Sequence, residues 1–391
     1  MTIREQLEMY RNGTLPHAEQ EMLKEEIEKH EAINDFLYDE SDISQLDDLQ
    51  DLSVAPENSE TDAQSAEFAK MIKSSIRRAF IKMGVSVGAV ILALILLVVF
   101  VMPSTVSKLY YNPNEIVGNS EVASQPTKRI DLDLSVYTEL FIPGNFRNYA
   151  VVEDRGYGEY DISIPQVSSF NGQFISVNGK ITRNSLTLYN ENVFKTPVLN
   201  SFSFPNTKTA LAAGSVEEAY AALDDLKDTY YNAYFSLDKL TDYGEFYKWY
   251  KEKDFFCSDL WCGICTAESP AVLLGINPEP SGYVFSCDKE KYPKLNLLDC
   301  DSSTEQLDRD AESTESMKTH FTSMLNYMND HPDTATMFGV DYVDWNEQIK
   351  YIEENGFKTY GFAVTADKKT IKKIASEDKI SYVYTTPLYN G

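Results

Sequence analysis

The sequence predicts a mixed, α+β protein: a cytoplasmic helical hairpin, one transmembrane helix, an extracytoplasmic β-rich module and then an α/β domain. Three observations carry this reading. Residues 83–102 form an uninterrupted apolar run, the residues before it are acidic with helical periodicity, and the residues after it alternate first in strand period and then between helix and strand. The corresponding segments are 1–40 (inner helices), 41–78 (acidic linker and basic juxtamembrane stretch), 79–102 (membrane helix), 103–210 (β-rich module) and 211–391 (α/β domain).

The run Met83–Met102 contains no charged residue, and thirteen of its twenty residues are Leu, Ile, Val or Phe. Twenty residues at a helical rise of about 1.5 Å span roughly 30 Å, the thickness of a bilayer's hydrocarbon core. Summed over those thirteen side chains, insertion is favoured by about 6 kcal/mol. Lys70, Lys73, Arg77, Arg78 and Lys82 precede the run, whereas the next twenty residues offer only Lys108. That bias places the amino end in the cytoplasm. The run begins some eighty residues into the chain and lacks an Ala-x-Ala exit, which argues against a cleaved signal peptide.

Charge excludes one class of partner. The 391-residue chain carries 61 Asp and Glu against 35 Lys and Arg, a net −26. A surface this acidic repels phosphate, so direct nucleic-acid binding is not expected. Residues 1–69 alone hold nineteen acids against Arg4, Arg11, Lys24 and Lys29.

In that inner segment Ile3, Leu7 and Tyr10 recur at helical spacing, and Asn12-Gly13 ends the first helix. A second helix, capped by Thr14 with Pro16 in its first turn, runs to about Tyr38. Two such short helices bury little by themselves. The candidate partner-binding side chains are therefore Leu7, Tyr10, Leu23, Ile27, Phe36 and Leu37. The alternative is a hairpin that folds on itself. Residues 39–66, rich in Ser and Asp, read as a disordered tether.

Beyond the membrane, Val136–Phe141 reads as a strand before the turn Pro143-Gly144. Tyr160–Ile164 and Ser185–Tyr189 alternate apolar and polar, and Asn178-Gly179 signals a hairpin between Phe174–Val177 and Ile181. From Ser215, in a capping-box pattern with Glu218, helical period returns. Ala233–Leu237 and Ala271–Ile276 read as strands, and Phe246–Tyr250 as a helix. Met317, Phe321, Met324 and Met328 form a stripe suited to core packing. Trp345, Ile349 and Ile352 mark a helix stopped by Asn355-Gly356, and the chain closes as strand Thr359–Thr365, helix Asp367–Ala375 and strand Ile380–Thr385.

These residues carry a family resemblance. Arg4-Glu5-Gln6-Leu7-Glu8-Met9-Tyr10-Arg11-Asn12-Gly13, Tyr110-Tyr111-Asn112-Pro113, Phe141-Ile142-Pro143-Gly144 with Gly156-Tyr157-Gly158-Glu159-Tyr160, and above all Tyr351–Gly361 (Tyr-Ile-Glu-Glu-Asn-Gly-Phe-Lys-Thr-Tyr-Gly) resemble membrane-anchored anti-sigma factors with sigma-factor-regulator N-terminal and C-terminal domains. The resemblance implies a protein that sequesters an alternative sigma factor of the extracytoplasmic-function type at the cytoplasmic face and releases it on an outer signal. A membrane regulatory protein or protease would be a further partner besides the sigma factor and the bilayer. Many anti-sigma factors carry a cytoplasmic zinc module; here that side has only His17 and His30 and no Cys, so no metal or other cofactor is expected.

The cysteines supply the rival reading. Trp261-Cys262-Gly263-Ile264-Cys265 is close to a thioredoxin-like motif, which would make the chain an extracytoplasmic thiol–disulfide or envelope-assembly protein. Such chemistry needs a long helix just after the motif, and Glu268-Ser269-Pro270 interrupts one. Structural disulfides among Cys257, Cys262, Cys265, Cys287 and Cys300, with the pairing open, are preferred in an oxidising outer compartment. His320 and His331 are expected at the surface, and no residue set justifies a catalytic assignment; the chain is not expected to be an enzyme.

Overall fold

A computed structural model describes residues 3–39, 60–118, 125–144, 149–167, 174–189, 201–205, 214–227, 229–298 and 302–387. The chain forms two compact units, Met1–Val101 and Met102–Gly391.

In the first unit, α1 (Ile3–Arg11) and α2 (His17–Asp39) form a hairpin, and α3 (Glu60–Leu96) follows. Gly13 adopts a left-handed φ of 67° and lets the chain reverse. Thr14 does not cap α2. Its hydroxyl donates back to Met9 O, and Pro16 O accepts from the Glu19 and Gln20 amides of α2. Residues 60–66, expected in the tether, already belong to α3; the rest of the tether lies outside the described residues. A π-helical turn, Leu97–Val101, leads into α4 (Met102–Ser107), so that Lys73–Ser107 is one helix long and apolar enough to cross a membrane.

The second unit begins with a short antiparallel pair, β1 (Ile116–Gly118) and β2 (Thr127–Lys128), followed by α5 (Arg129–Phe141). The expected strand at Val136–Phe141 is therefore a helix. Ile130-Asp131-Leu132-Asp133-Leu134-Ser135-Val136 alternates as a half-buried strand would, yet α5 is apolar on two opposite faces because it lies between two cores. Leu132, Val136 and Leu140 enter the larger core, while Ile130 and Leu134 enter the smaller one.

The smaller core is roofed by an antiparallel sheet of β3 (Val151–Gly156), β4 (Glu159–Val167), β5 (Phe174–Thr182) and β6 (Ser185–Leu188), in that order. Tyr160, Ile162, Ile164, Val177 and Ile181 alternate onto its inner face. The expected hairpin at Asn178-Gly179 is not there: β5 runs through both residues, and the reversal comes at Arg183-Asn184. Gly179 serves close approach instead. A Cβ on it would lie 2.4 Å from Thr187 O.

The larger core follows α6 (Val216–Ala222), which starts on the predicted capping box between Ser215 and Glu218. Its five-stranded sheet has the order β11 (Ile380–Pro387), β7 (Tyr230–Asp242), β10 (Lys358–Asp367), β8 (Cys257–Ile264), β9 (Leu274–Ile276). Every neighbouring pair is antiparallel, which corrects the expected α/β character. The helix-connected strands are indeed parallel to each other, but each such pair is split. β10 lies between β7 and β8, and β7 lies between β10 and β11.

Helices α7 (Tyr243–Lys253), α8 (Thr304–Glu312), α9 (Thr314–Asp330), α10 (Pro332–Met337), α11 (Trp345–Asn355) and α12 (Lys368–Ala375) complete the unit. The stripe Met317, Phe321, Met324 and Met328 is fully buried in the larger core, as its spacing predicts. Gly356, with φ 82°, ends α11 after Asn355. The sheet's opposite face holds a third cluster in which Phe202 and Phe204 cover Tyr234, Trp261 and Tyr360.

Because α5 is buried on all sides, its polar residues need partners. Asp133 accepts hydrogen bonds from Tyr111 Oη (2.5 Å) and Tyr327 Oη (2.7 Å), with Arg129 Nε at 3.7 Å. Burial pushes the Asp133 carboxyl up, and those donors oppose the shift. Asp133→Ala leaves two buried hydroxyls without their acceptor. A loss on the order of 3 kcal/mol is expected from denaturant unfolding of the full chain in detergent, with Phe256→Ala, an exposed position, near neutral.

Candidate functional site

Two places could carry function: the amino-terminal hairpin with its candidate partner-binding residues, and the second unit with its cysteines and buried charges. On the hairpin, Leu7, Tyr10 and Ile27 are half-buried. Leu23 is only 4% exposed and is thus not on a surface that a partner would meet. The side chains of Phe36 and Leu37 lie outside the described residues. Met22 and Ile33, apolar positions of the second helix outside the candidate set, are 70% and 56% exposed. They are eleven residues apart, three helical turns, and so share one face of α2. On the other side of the helix, Glu31 Oε1 accepts from Arg78 Nη1 of α3 at 3.1 Å.

The motif Trp261-Cys262-Gly263-Ile264-Cys265 lies on β8 and just past its end. Strand alternation sends Cys262 into the larger core and Trp261 and Cys265 into the third cluster on the opposite face. The chain then bends through Thr266–Pro270 without a helix. A thiol with a depressed pKa needs a helix N-terminus or a nearby cation. Here burial instead pushes Cys262 well above the ordinary thiol value, raises Cys265, and raises Cys257 to about 11. A bulge at Asp259 (φ 59°) returns Cys257 to the same face as Cys262, where it lies 3.1 Å from Tyr250 Oη.

In this structure Cys257, Cys262 and Cys265 carry free thiols. Asn296 Nδ2 lies 3.7 Å from Cys287 Sγ, and Cys300 is outside the described residues. Among the described residues no group of three or more His, Cys, Asp or Glu is placed to hold a metal ion.

The histidines depart from expectation. His320 is fully buried, with Nε2 2.5 Å from Glu139 Oε1 and Nδ1 2.7 Å from Lys294 O. A carbonyl can only accept, so Nδ1 carries a proton, and the contact with Glu139 requires a second one between the two side chains. Trp261 Nε1 donates to Glu139 O, tying this pair to β8. His331 is half-buried and stacks on Tyr327 with ring centroids 4.1 Å apart. The sequence signal that could have found His320 is its place one residue before Phe321 on the buried stripe of α9. Glu139 and Trp261 border a cavity of about 10 Å³, room for about one water.

With the geometry in hand, comparison with known proteins gives one match. Residues 223–384 match the family model described as sigma factor regulator C-terminal. No curated protein and no solved structure matches the chain. The matched stretch runs from the end of α6 to within β11 and contains the whole split-strand arrangement. It supports an anti-sigma-factor regulatory role.

The same buried helix sets a pH dependence. Asp131 accepts from Ala150 N at 2.7 Å, and burial raises its pKa from 3.8 to about 6. The folded state thus binds this proton more tightly than the unfolded chain. The associated stability is fully present below the unfolded value and is lost as pH rises through about 6, by up to about 3 kcal/mol. Thermal unfolding followed between pH 5 and 7.5 should show a falling midpoint in the wild type and a flatter profile in Asp131→Asn.

Proposed function

We propose that the chain is a single-pass membrane anti-sigma factor. Residues 1–40 hold a sigma factor of the extracytoplasmic-function type at the cytoplasmic face, 41–78 act as a tether, 79–102 cross the bilayer, and 103–210 with 211–391 read an outer signal that ends the sequestration. The observation that carries this reading is the sigma-factor-regulator match at residues 223–384, on the far side of a membrane-length apolar helix from an acidic hairpin. The five cations just before the apolar run support an inward amino end.

Sequestration needs no bond chemistry. The hairpin has to cover, with apolar side chains, a surface that the sigma factor otherwise offers to the polymerase. Leu7, Tyr10, Ile27, Phe36 and Leu37 remain in the proposed contact set, joined by Met22 and Ile33. Leu23 keeps the hairpin folded.

The test is co-purification of the full chain in detergent with host cytosol, and mass spectrometry of what it retains. A sigma subunit is expected with the wild type. Met22→Glu with Ile33→Glu should weaken retention by about two orders of magnitude, from the loss of two buried side chains at about 1.5 kcal/mol each or more. Undiminished retention by the double variant removes the proposed face, and absence of any sigma subunit with the wild type removes the function. Orientation is tested separately by a compartment-sensitive reporter fused after Gly391, which should be active only outside the cytosol.

A further inference from the structure

The two hairpin turns of the four-stranded sheet close on the segment that follows the apolar run. Tyr157 N–H donates to Pro103 O at 3.3 Å, and Gly158 N–H donates to Ser107 Oγ at 3.0 Å. From the neighbouring turn, Arg183 N–H donates to Gly158 O at 2.6 Å, and Asn184 Oδ1 accepts from Tyr111 N–H at 2.9 Å. The Arg183 guanidinium lies 5.5 Å from the centre of the Tyr110 ring. Gly156 and Gly158 make the fit possible. Both have left-handed φ, and a Cβ on either would come within 2.8 Å of Pro103 or Tyr110.

Pro103 is the first residue after Met102, where the twenty-residue apolar run ends. A run of that length just fills the hydrocarbon core, so residues 103–111 stand at headgroup level. Backbone hydrogen bonds then bring the turns to the same level. What this end of the sheet exposes suits that depth: Leu109 is 77% exposed, Tyr157 is 38% exposed, and Lys108 and Arg183 are exposed cations. Aromatic rings and long cationic side chains are the residues that settle at a membrane interface.

We propose that this end of the four-stranded sheet is a membrane-contact surface. Tyr157 and Leu109 enter the glycerol layer of the outer leaflet, and Lys108 and Arg183 meet lipid phosphate. The second unit then rests on the bilayer through this surface. The proposal rests on the reading of Met83–Met102 as a membrane span.

The test uses the full chain reconstituted in phosphatidylcholine/phosphatidylglycerol vesicles, carrying Tyr157→Trp, Arg183→Trp or, within the apolar run, Leu92→Trp. The emission of the three native tryptophans is subtracted using the wild type. The quenchers are phosphatidylcholines brominated either high or low on the acyl chain. The expected result is loss of the added Tyr157→Trp emission with high bromine, and of Leu92→Trp emission with low bromine. Arg183→Trp reads the same surface should Tyr157→Trp not fold. Both turn reporters unquenched, with Leu92→Trp quenched, overturns the membrane contact and leaves the span standing. Leu92→Trp unquenched overturns the span, and the contact with it.

Discussion

The second unit, Met102–Gly391, depends on burying one helix that carries charge. α5 lies between two hydrophobic cores, and three of its side chains, Asp131, Asp133 and Glu139, are acids with almost no exposure to water. An isolated carboxylate in such a place would cost several kcal/mol. Each is therefore met by a group that the fold brings from elsewhere: Ala150 N for Asp131, the Tyr111 and Tyr327 hydroxyls for Asp133, His320 and Asn277 N for Glu139. Apolar contacts alone would let α5 slide or rotate between the cores. The acids fix its register, because only one placement satisfies all of them.

That arrangement also explains what was legible in the sequence. Elements whose signals are local came through: the apolar run, the Ser215–Glu218 capping box, the methionine stripe of α9, and the Gly356 stop. α5 did not. Its alternating acids and aliphatics mimic a strand, and nothing in the neighbouring sequence says that both faces will be covered. Asn178-Gly179 failed for a related reason: the pair is a turn signal only when the strands beside it are free to pair with each other, and here β4 already holds β5 straight. The antiparallel sheet was hidden because strand–helix–strand order does not reveal that another strand will split the pair. On the amino-terminal hairpin, spacing could pick out the apolar positions but could not separate Leu23, which is buried, from Met22, which is not.

The cysteine motif shows how a short pattern misleads without its context. A helix start makes a Cys-x-x-Cys pair reactive by bringing both sulfurs to one exposed end. On β8 the same spacing is odd, so the two thiols leave the strand on opposite sides and are buried in separate clusters. The family match at residues 223–384 supports a regulatory role.

The partners of α5 come late in the chain. Asp133 waits for Tyr327, Glu139 for His320, and Arg129 for Asp333, which lies 204 residues away. A chain emerging amino end first must hold α5 unassembled until most of the second unit has been made, since these partners of its charged residues come last. Closure of that unit is thus a late, long-range and comparatively slow event. A polypeptide cut short before α9 would leave the helix open to quality-control proteases.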